Sequence, residues 1–195
     1  MMAALMQPFQ PLLVKFGGNS ELKYVAAAES AGIARSLVGE TLFSGLYLNE
    51  LLTRLLPKFD VVPTLFAAYG DAIEVISTST DAEPTLRRFE LLLLEELGYE
   101  IQWQCDFEER PIQHTVDYSY QPERGFVPSR EGDTSLVVSG LQLLTLADWQ
   151  RSGCAIDEIC QAKLKGIMRL AIDQRLGGRP LKVREAVSEW RQFRD

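Results

Sequence analysis

The spacing of apolar residues changes once along this chain, and that change limits what it can fold into. Residues 11–16 and 21–25 have the composition of two strands, and the glycine-containing stretch 17–20 between them predicts a turn. Beyond residue 30 the apolar residues recur with the helical period of about 3.6. A lone two-stranded hairpin is marginally stable in water. We therefore expect its unpaired edges to pair with a second copy of the chain or with a helix.

Six segments carry the helical period, namely 41–56, 60–77, 80–97, 141–150, 156–176 and 182–193. The predicted buried side of the second contains Leu65, Phe66, Tyr69, Ile73 and Ile76, and that of the third contains Leu86, Phe89, Leu93 and Leu97. Residues 99–140 lose this period, and 115–120 and 125–128 predict short strands within them. The sequence thus predicts a mainly α fold: five or six helices around one core, with a small β insertion.

The composition is that of an ordinary globular protein, with 46% hydrophobic and 24% charged residues among 195. No apolar run approaches the ~20 residues that cross a bilayer, and the first nine residues lack the basic start of a signal peptide. The three cysteines, Cys105, Cys154 and Cys160, are an odd number without the CxxC spacing. They predict neither a disulfide framework nor a zinc ribbon, and the expected compartment is the cytoplasm.

The net charge of −7 argues against coating of nucleic acid by bulk electrostatics, but the charge is uneven. Residues 161–195 contain nine Lys or Arg against four Asp or Glu, whereas residues 1–160 contain 11 against 23. A basic end on an acidic body is typical of a local anion-binding face. A solvated helical surface would have the same composition, so both readings stay open.

Candidate catalytic residues are scarce. His114 is the one histidine, and it falls in the irregular region without a cysteine or serine placed to act with it. The adjacent carboxylates Glu95–Glu96 and Glu108–Glu109 do not converge, because neighbours in a helix point about 100° apart. We assign no catalytic residue and no metal ligand, and we expect no cofactor. A hydrolase or transferase with an unrecognised site remains a less favoured alternative.

Basic residues near helix beginnings favour binding instead. Arg87 and Arg88 lie where the helix dipole is already positive, which costs about 0.3–1 kcal/mol per cation. Pairing with Glu83 and Glu90 on the same helix would compensate for this, and so would an anionic ligand at the helix end. The sequence leaves both explanations open.

A second set of cations follows in the last two predicted helices. Lys165 and Arg169 share one helix face with Ile172, beside the predicted core stripe of Leu164, Met168, Ala171 and Leu176. A basic face beside exposed aliphatic residues fits an acidic and hydrophobic peptide. Lys182 and Arg184 add positive charge at the beginning of the last helix, again against the dipole. The alternative is a core stripe flanked by solvated lysines.

Four segments together resemble RecO, the bacterial recombination mediator of the RecF pathway. They read Leu5-Met-Gln-Pro-Phe-Gln-Pro-Leu-Leu-Val-Lys-Phe-Gly-Gly18, Thr41-Leu-Phe-Ser-Gly-Leu-Tyr-Leu-Asn-Glu-Leu-Leu52, Leu86-Arg-Arg-Phe-Glu90 and Leu176-Gly-Gly-Arg-Pro-Leu-Lys-Val-Arg-Glu185. Their order and spacing match the family along essentially the whole chain. The stretches 43–52 and 176–185 are the most specific.

The resemblance implies an N-terminal OB-fold barrel followed by a helical domain, with residues 1–30 as barrel strands and 31–195 as the helical domain. It implies DNA repair, binding and annealing of single-stranded DNA, help in loading the recombinase, and partnership with RecR. It also implies docking of the acidic tail of single-stranded DNA-binding protein, which ends in an aromatic residue with a free carboxylate. The residues assigned to that tail are Arg87, Arg88, Phe89, Lys165, Arg169, Lys182 and Arg184, and those assigned to DNA are Lys15 and Lys23.

Two departures from the family pattern matter. Many members carry four zinc-binding cysteines after the equivalent of Gly98, where this chain has Cys105 alone. The barrel of the family also has strands before the one that begins at Pro11, so residues 11–28 resemble the last two strands of a five-stranded OB fold. A shortened sequence, a misplaced start or a true truncation would each produce this. We therefore expect weak binding of single-stranded DNA, and an alternative function as a protein-interaction module only.

Overall fold

The computed structural model describes residues 5–19, 21–130, 132 and 136–193, so Ser20 of the predicted turn lies outside the described part. The strands are β1 (Leu12–Gly17), β2 (Tyr24–Ser30), β3 (Asp117–Gln121), β4 (Gly125–Pro128) and β5 (Val137–Ser139). The helices are α1 (Glu40–Leu55), α2 (Pro63–Thr78), α3 (Glu83–Glu96), α4 (Gly140–Ser152), α5 (Glu158–Arg175) and α6 (Lys182–Gln192). The predicted mainly α architecture is confirmed.

Local sequence signals explain where several helices begin and end. Ser139 and Gln142 form a reciprocal capping box at the beginning of α4. Gly153 ends that helix in the left-handed conformation, with φ of 74°. The Asp157 carboxylate accepts a hydrogen bond from the Cys160 N–H and so caps α5. Because these signals are local, the sequence predicted these boundaries to within a few residues.

The hairpin is antiparallel, with Leu12 opposite Ser30 and Gly17 opposite Tyr24, and a bulge after Lys15 shifts its register. Its base is attached to α1 at Gly45. A Cβ atom at this position would lie 2.5 Å from Leu37 Cδ1 and 2.7 Å from the Phe9 ring. The absence of a side chain at Gly45 therefore lets the segments on either side of the hairpin pack directly on the helix.

The buried apolar residues form two clusters rather than the single core that we expected. One cluster joins α4 and α5 to the β insertion through Trp103, Phe126 and Leu146, and the other joins α1, α2 and α3. Helix α3 contributes residues to both clusters, because Phe89 belongs to the second cluster and Leu94 to the first. A single amphipathic stripe could not reveal a helix that is buried on two sides.

The insertion is a three-stranded antiparallel sheet in the order β4-β3-β5. The sequence predicted β3 and β4, whereas β5 was missed because three residues are too few to show a period. Two burial predictions were also wrong. Phe66 is 76% exposed, and Ile172 is completely buried in the α1–α3 cluster instead of lying exposed beside Lys165. Among the described helices, none combines the length and the apolarity that a bilayer crossing requires.

Candidate functional site

The adjacent arginines of α3 have different surroundings. Arg87 is 8% exposed, and its Nη1 lies 2.7 Å from Glu90 Oε2, one turn along the same helix. Its Nε lies 3.6 Å from Glu83 Oε2 and has no hydrogen-bond partner within the described part of the chain. The local-pair explanation therefore holds for Arg87, whose charge is largely compensated within α3.

Glu90, the partner of Arg87, is completely buried. Its Oε1 accepts a hydrogen bond of 2.6 Å from the Tyr47 hydroxyl of α1. Burial raises the pKa of the Glu90 carboxyl to about 7, although the Arg87 charge and the Tyr47 hydrogen bond both lower it. The same burial raises the pKa of Tyr47. This polar group joins the middle of α3 to α1.

Arg88 points to a different side of α3 and is exposed. Its guanidinium carbon lies 5.2 Å from the centroid of the Trp149 ring, in a cation–π arrangement. It also passes close over Gly153, where a Cβ atom would stand 2.8 Å from Arg88 Nη2. No carboxylate pairs with Arg88 among the residues that the structure describes. Its positive charge is therefore available to a ligand.

Arg88 lies on the rim of a hollow that we call cavity A, with a volume of about 430 Å³ between α3, the end of α4 and the beginning of α5. Trp149, Ile156 and Leu164 provide its apolar lining, and Lys165 provides a second cation. A volume of this size accommodates an aromatic side chain and a neighbouring charged group. Cavity A thus combines an apolar floor with cations that face solvent.

A second hollow, cavity B, adjoins it and has a volume of about 510 Å³. Glu83, Arg87 and Lys165 line both cavities and so form the wall between them. Within this wall, Lys165 Nζ donates a 2.5 Å hydrogen bond to Glu83 Oε1. Arg169 also lines cavity B, with its Nε 3.7 Å from Asp173 Oδ2.

The beginning of α6 has an anion of its own. The N–H groups of Lys182 and Val183 donate to the two carboxylate oxygens of Glu50, each at 2.9 Å. Arg184 lines cavity B, where its Nη1 is bonded to Asp173 at 2.5 Å and its guanidinium lies 5.8 Å from the Tyr47 ring centroid. At this helix beginning, two of the backbone N–H groups are therefore already bonded to a carboxylate of the chain itself.

The remaining predicted site residues lie apart from the two cavities. Phe89 is 3% exposed and packs edge-on against Tyr69, so its side chain belongs to the core that positions α3. Lys182 is exposed at the beginning of α6 and lines neither cavity. Lys15 and Lys23 are exposed on the hairpin, where Lys23 Nζ donates to the Gly18 carbonyl.

Sequence reasoning missed Trp149, whose ring lies under the Arg88 guanidinium, and Gly153, whose missing side chain leaves room for it. They follow Arg88 by more than 60 positions and act on it only through the packing of α4 beside α3. The glycine after the α4 segment was a visible helix-end signal. Nothing in the sequence connected that signal to Arg88.

The arrangement does not resemble an acid–base centre. Glu90 has the strongly raised carboxyl pKa of the site, but it lines neither cavity and therefore cannot reach a bound molecule there. Within residues 5–19, 21–130, 132 and 136–193, no group of three His, Cys, Asp or Glu side chains is placed to hold a metal ion. What the site offers is an apolar hollow with exposed cations.

Comparison with known proteins gives a consistent result. Residues 37–185 match the family described as recombination protein O, C terminal. The chain is 44% identical over 184 residues to the DNA repair protein RecO of Pseudomonas paraeruginosa (strain DSM 24068 / PA7), covering 93% of this chain and 76% of that protein. It is 42% identical to the protein of the same name from Methylococcus capsulatus, covering 94% and 74%. For that of Klebsiella pneumoniae (strain 342) the identity is 41%, covering 96% and 74%.

Proposed function

This chain belongs to the RecO family of DNA repair proteins, and from that premise we propose that it acts as a mediator of repair and homologous recombination without enzymatic turnover. In this role it binds the acidic tail of single-stranded DNA-binding protein and helps to load the recombinase. The same role makes the cytoplasm its place of action. The observation that carries the proposal is the exposed Arg88, laid over Trp149 beside the apolar floor of cavity A.

The chemistry of cavity A fits a chain end that is both aromatic and anionic. Trp149, Ile156 and Leu164 would contact the terminal ring, while Arg88 and Lys165 would bind the free carboxylate. Docking of this kind needs an apolar pocket whose rim carries opposite charge. Arg169 and Arg184 in cavity B would attract the acidic residues that precede the ring.

The roles of the other predicted tail residues follow from their positions. Arg87 would form part of the wall of the site, with its charge held mainly by Glu90. Phe89 would support the site from the core, and Lys182 would add long-range attraction without direct contact. Of the two arginines in the Leu-Arg-Arg-Phe motif, we assign the main contact with the tail to the exposed Arg88, whereas the buried Arg87 would offer it no more than its Nε.

Fluorescence anisotropy with a labelled acidic peptide that ends in phenylalanine tests this assignment. We expect Arg88→Ala to weaken binding at least tenfold, because a charge-assisted contact contributes about 1.5–3 kcal/mol. Arg151→Ala is the matched control, since Arg151 is an exposed arginine of α4 that does not line cavity A. Equal affinity of the two variants would remove Arg88 from the site, and absence of binding by the unaltered protein would refute the proposal.

Binding of single-stranded DNA is the second part of the proposed role, and it would involve the hairpin lysines Lys15 and Lys23. The described hairpin also carries Glu21 and Glu29, so its two positive and two negative charges balance. This balance favours a second candidate function, a protein-interaction module that binds the tail but binds DNA poorly. Anisotropy with an oligonucleotide at low and high salt separates the two, because binding through phosphate contacts falls steeply as salt rises.

We also propose RecR as a partner, on family membership alone. Co-elution of the two purified proteins in size-exclusion chromatography tests this partnership. Separate elution at micromolar concentrations would argue against a stable complex.

A further inference from the structure

Glu83 occupies the position where a ligand carboxylate would be expected. It lies in the first turn of α3 and forms part of the wall between cavities A and B. Its Oε1 is 2.5 Å from Lys165 Nζ, and its Oε2 is 3.6 Å from Arg87 Nε. One carboxylate of the chain therefore stands between the two cations that both cavities share.

The contacts of Glu83 are those of a ligand that can be displaced. The side chains of Glu83 and Lys165 are 44% and 61% exposed, so solvent screens their ion pair and little is lost when it opens. The pair between Arg87 and Glu90, in contrast, is buried and stays closed. Opening the Glu83 contacts thus frees Lys165 without disturbing the packing of α3.

The Nε of Arg87 points to the same conclusion. This buried donor has no hydrogen-bond partner among the described residues, and 3.6 Å is too long for a hydrogen bond with Glu83. A buried donor without an acceptor is unfavourable, so a carboxylate that approached more closely than Glu83 would be stabilised here. The site is therefore filled incompletely by the carboxylate of its own chain.

We propose that Glu83 is an internal competitor, which holds Lys165 and the Arg87 Nε until the carboxylate of an acidic peptide displaces it. This inference rests on the proposed docking function and adds the residue that sets its affinity and specificity. Glu83 repels any anion that cannot take over its contacts, and it yields to a ligand that also fills the apolar floor of cavity A. Selectivity for a carboxylate joined to an apolar group follows from this competition.

The test compares Glu83→Gln with Glu158→Gln. Both changes remove one exposed negative charge that lines cavity A, but Glu158 pairs with no cation among the described residues. The probe is a short acidic peptide ending in phenylalanine, with either a free or an amidated C-terminus. We expect Glu83→Gln to bind the free-acid peptide about threefold more tightly than Glu158→Gln does, in line with the strength of exposed ion pairs. The difference should shrink at high salt.

Each outcome has a separate meaning. In the first outcome, the unaltered protein binds the peptide while Glu83→Gln shows equal or lower affinity. That result refutes the competitor and leaves the docking function standing, and Glu83 then serves to position Lys165. Binding by Glu83→Gln alone supports the competitor and refutes docking by the unaltered protein. Binding by neither refutes both. An equal gain for the amidated peptide shows that the effect is general charge, which also overturns the competitor.

Discussion

Helix α6 begins without a capping side chain of its own, because its N-cap residue is Leu181. The missing acceptors come from Glu50 of α1, which lies 132 positions earlier in the chain and bonds the N–H groups of Lys182 and Val183. Arg54 orients this carboxylate, since its Nη2 lies 2.7 Å from Glu50 Oε1. We predict that Glu50→Ala destabilises the protein by detaching the beginning of α6 from α1.

The magnitude follows from these contacts. Loss of a side-chain cap costs about 1 kcal/mol, and hydrogen bonds to a charged group contribute about 1.5–3 kcal/mol each. Water replaces part of the loss, because α6 has no fully buried residue along its length. We therefore expect a decrease of about 2 kcal/mol in the free energy of unfolding. For a protein of this size it corresponds to a fall of roughly 4–8 °C in Tm.

Thermal and urea denaturation followed by circular dichroism measure this change. Glu185→Ala is the matched control, because Glu185 lies exposed in the first turn of the same helix and contributes only through the dipole. We expect the control to lose less than about 1 kcal/mol. Equal losses in the two variants would show that Glu50 acts as a nearby charge rather than as a cap, and the reasoning would fail.

The pH dependence provides a second measurement on Glu50. Desolvation raises the pKa of Glu50, but the N–H groups of Val183 and Lys182 and the charge on Arg54 outweigh it, so the net pKa lies below its ordinary value. A carboxyl pKa lowered by folding contributes stability that is complete above the unfolded value of about 4.3. That contribution is lost as the pH falls through the lower folded pKa. The stability difference between the unaltered protein and Glu50→Ala should therefore shrink on acidification.

Two further predictions concern the site. Burial raises the pKa of Glu90 to about 7, so the folded protein binds the carboxyl proton more tightly than the unfolded chain does. The free energy of unfolding of the unaltered protein relative to Glu90→Gln should therefore fall as the pH rises from about 4.3 to 7. A difference that stays constant with pH in urea titrations would contradict this. Gly153→Ala should cost about 1–2 kcal/mol from the left-handed backbone and push Arg88 off Trp149. Calorimetry and peptide anisotropy would then both change, and unaltered peptide affinity would contradict the role of Gly153.

The helices were predictable because their boundaries depend on local chemistry. Pro63 begins α2, the Ser139 capping box begins α4, and Gly153 ends it. The burial of Phe66 was mispredicted because it depends on distant parts of the chain. Periodicity identifies an amphipathic face of a helix but not how far the neighbouring elements cover that face. The short strand β5 exists only through its pairing with β3 and leaves no local signal.

The two segments that most specifically resemble the RecO family have a structural explanation in Glu50. Residues 43–52 belong to α1, and residues 176–185 span the turn and the beginning of α6. The bonds from Glu50 to α6 join these segments across more than 120 positions, and Arg54, one helical turn after Glu50, donates to the Pro180 carbonyl. Each segment is a weak motif by itself. Their joint occurrence is informative because Glu50 of the first segment supplies the acceptors that the N–H groups of the second segment need.

The arginine doublet Arg87–Arg88 shows which part of the site the sequence could not predict. Two explanations were open for its charge, a local pair and an external anion. Consecutive residues of a helix point about 100° apart, so the two arginines face different surroundings. Arg87 is directed inward, where Glu90 and Tyr47 close a buried polar group. Arg88 is directed outward, to cavity A, and no carboxylate meets it within the described chain. The local-pair explanation therefore holds for the inner arginine and not for the outer one, for which the external anion is our proposal. The packing of α3 against α4 and α1 is what distinguishes the two residues.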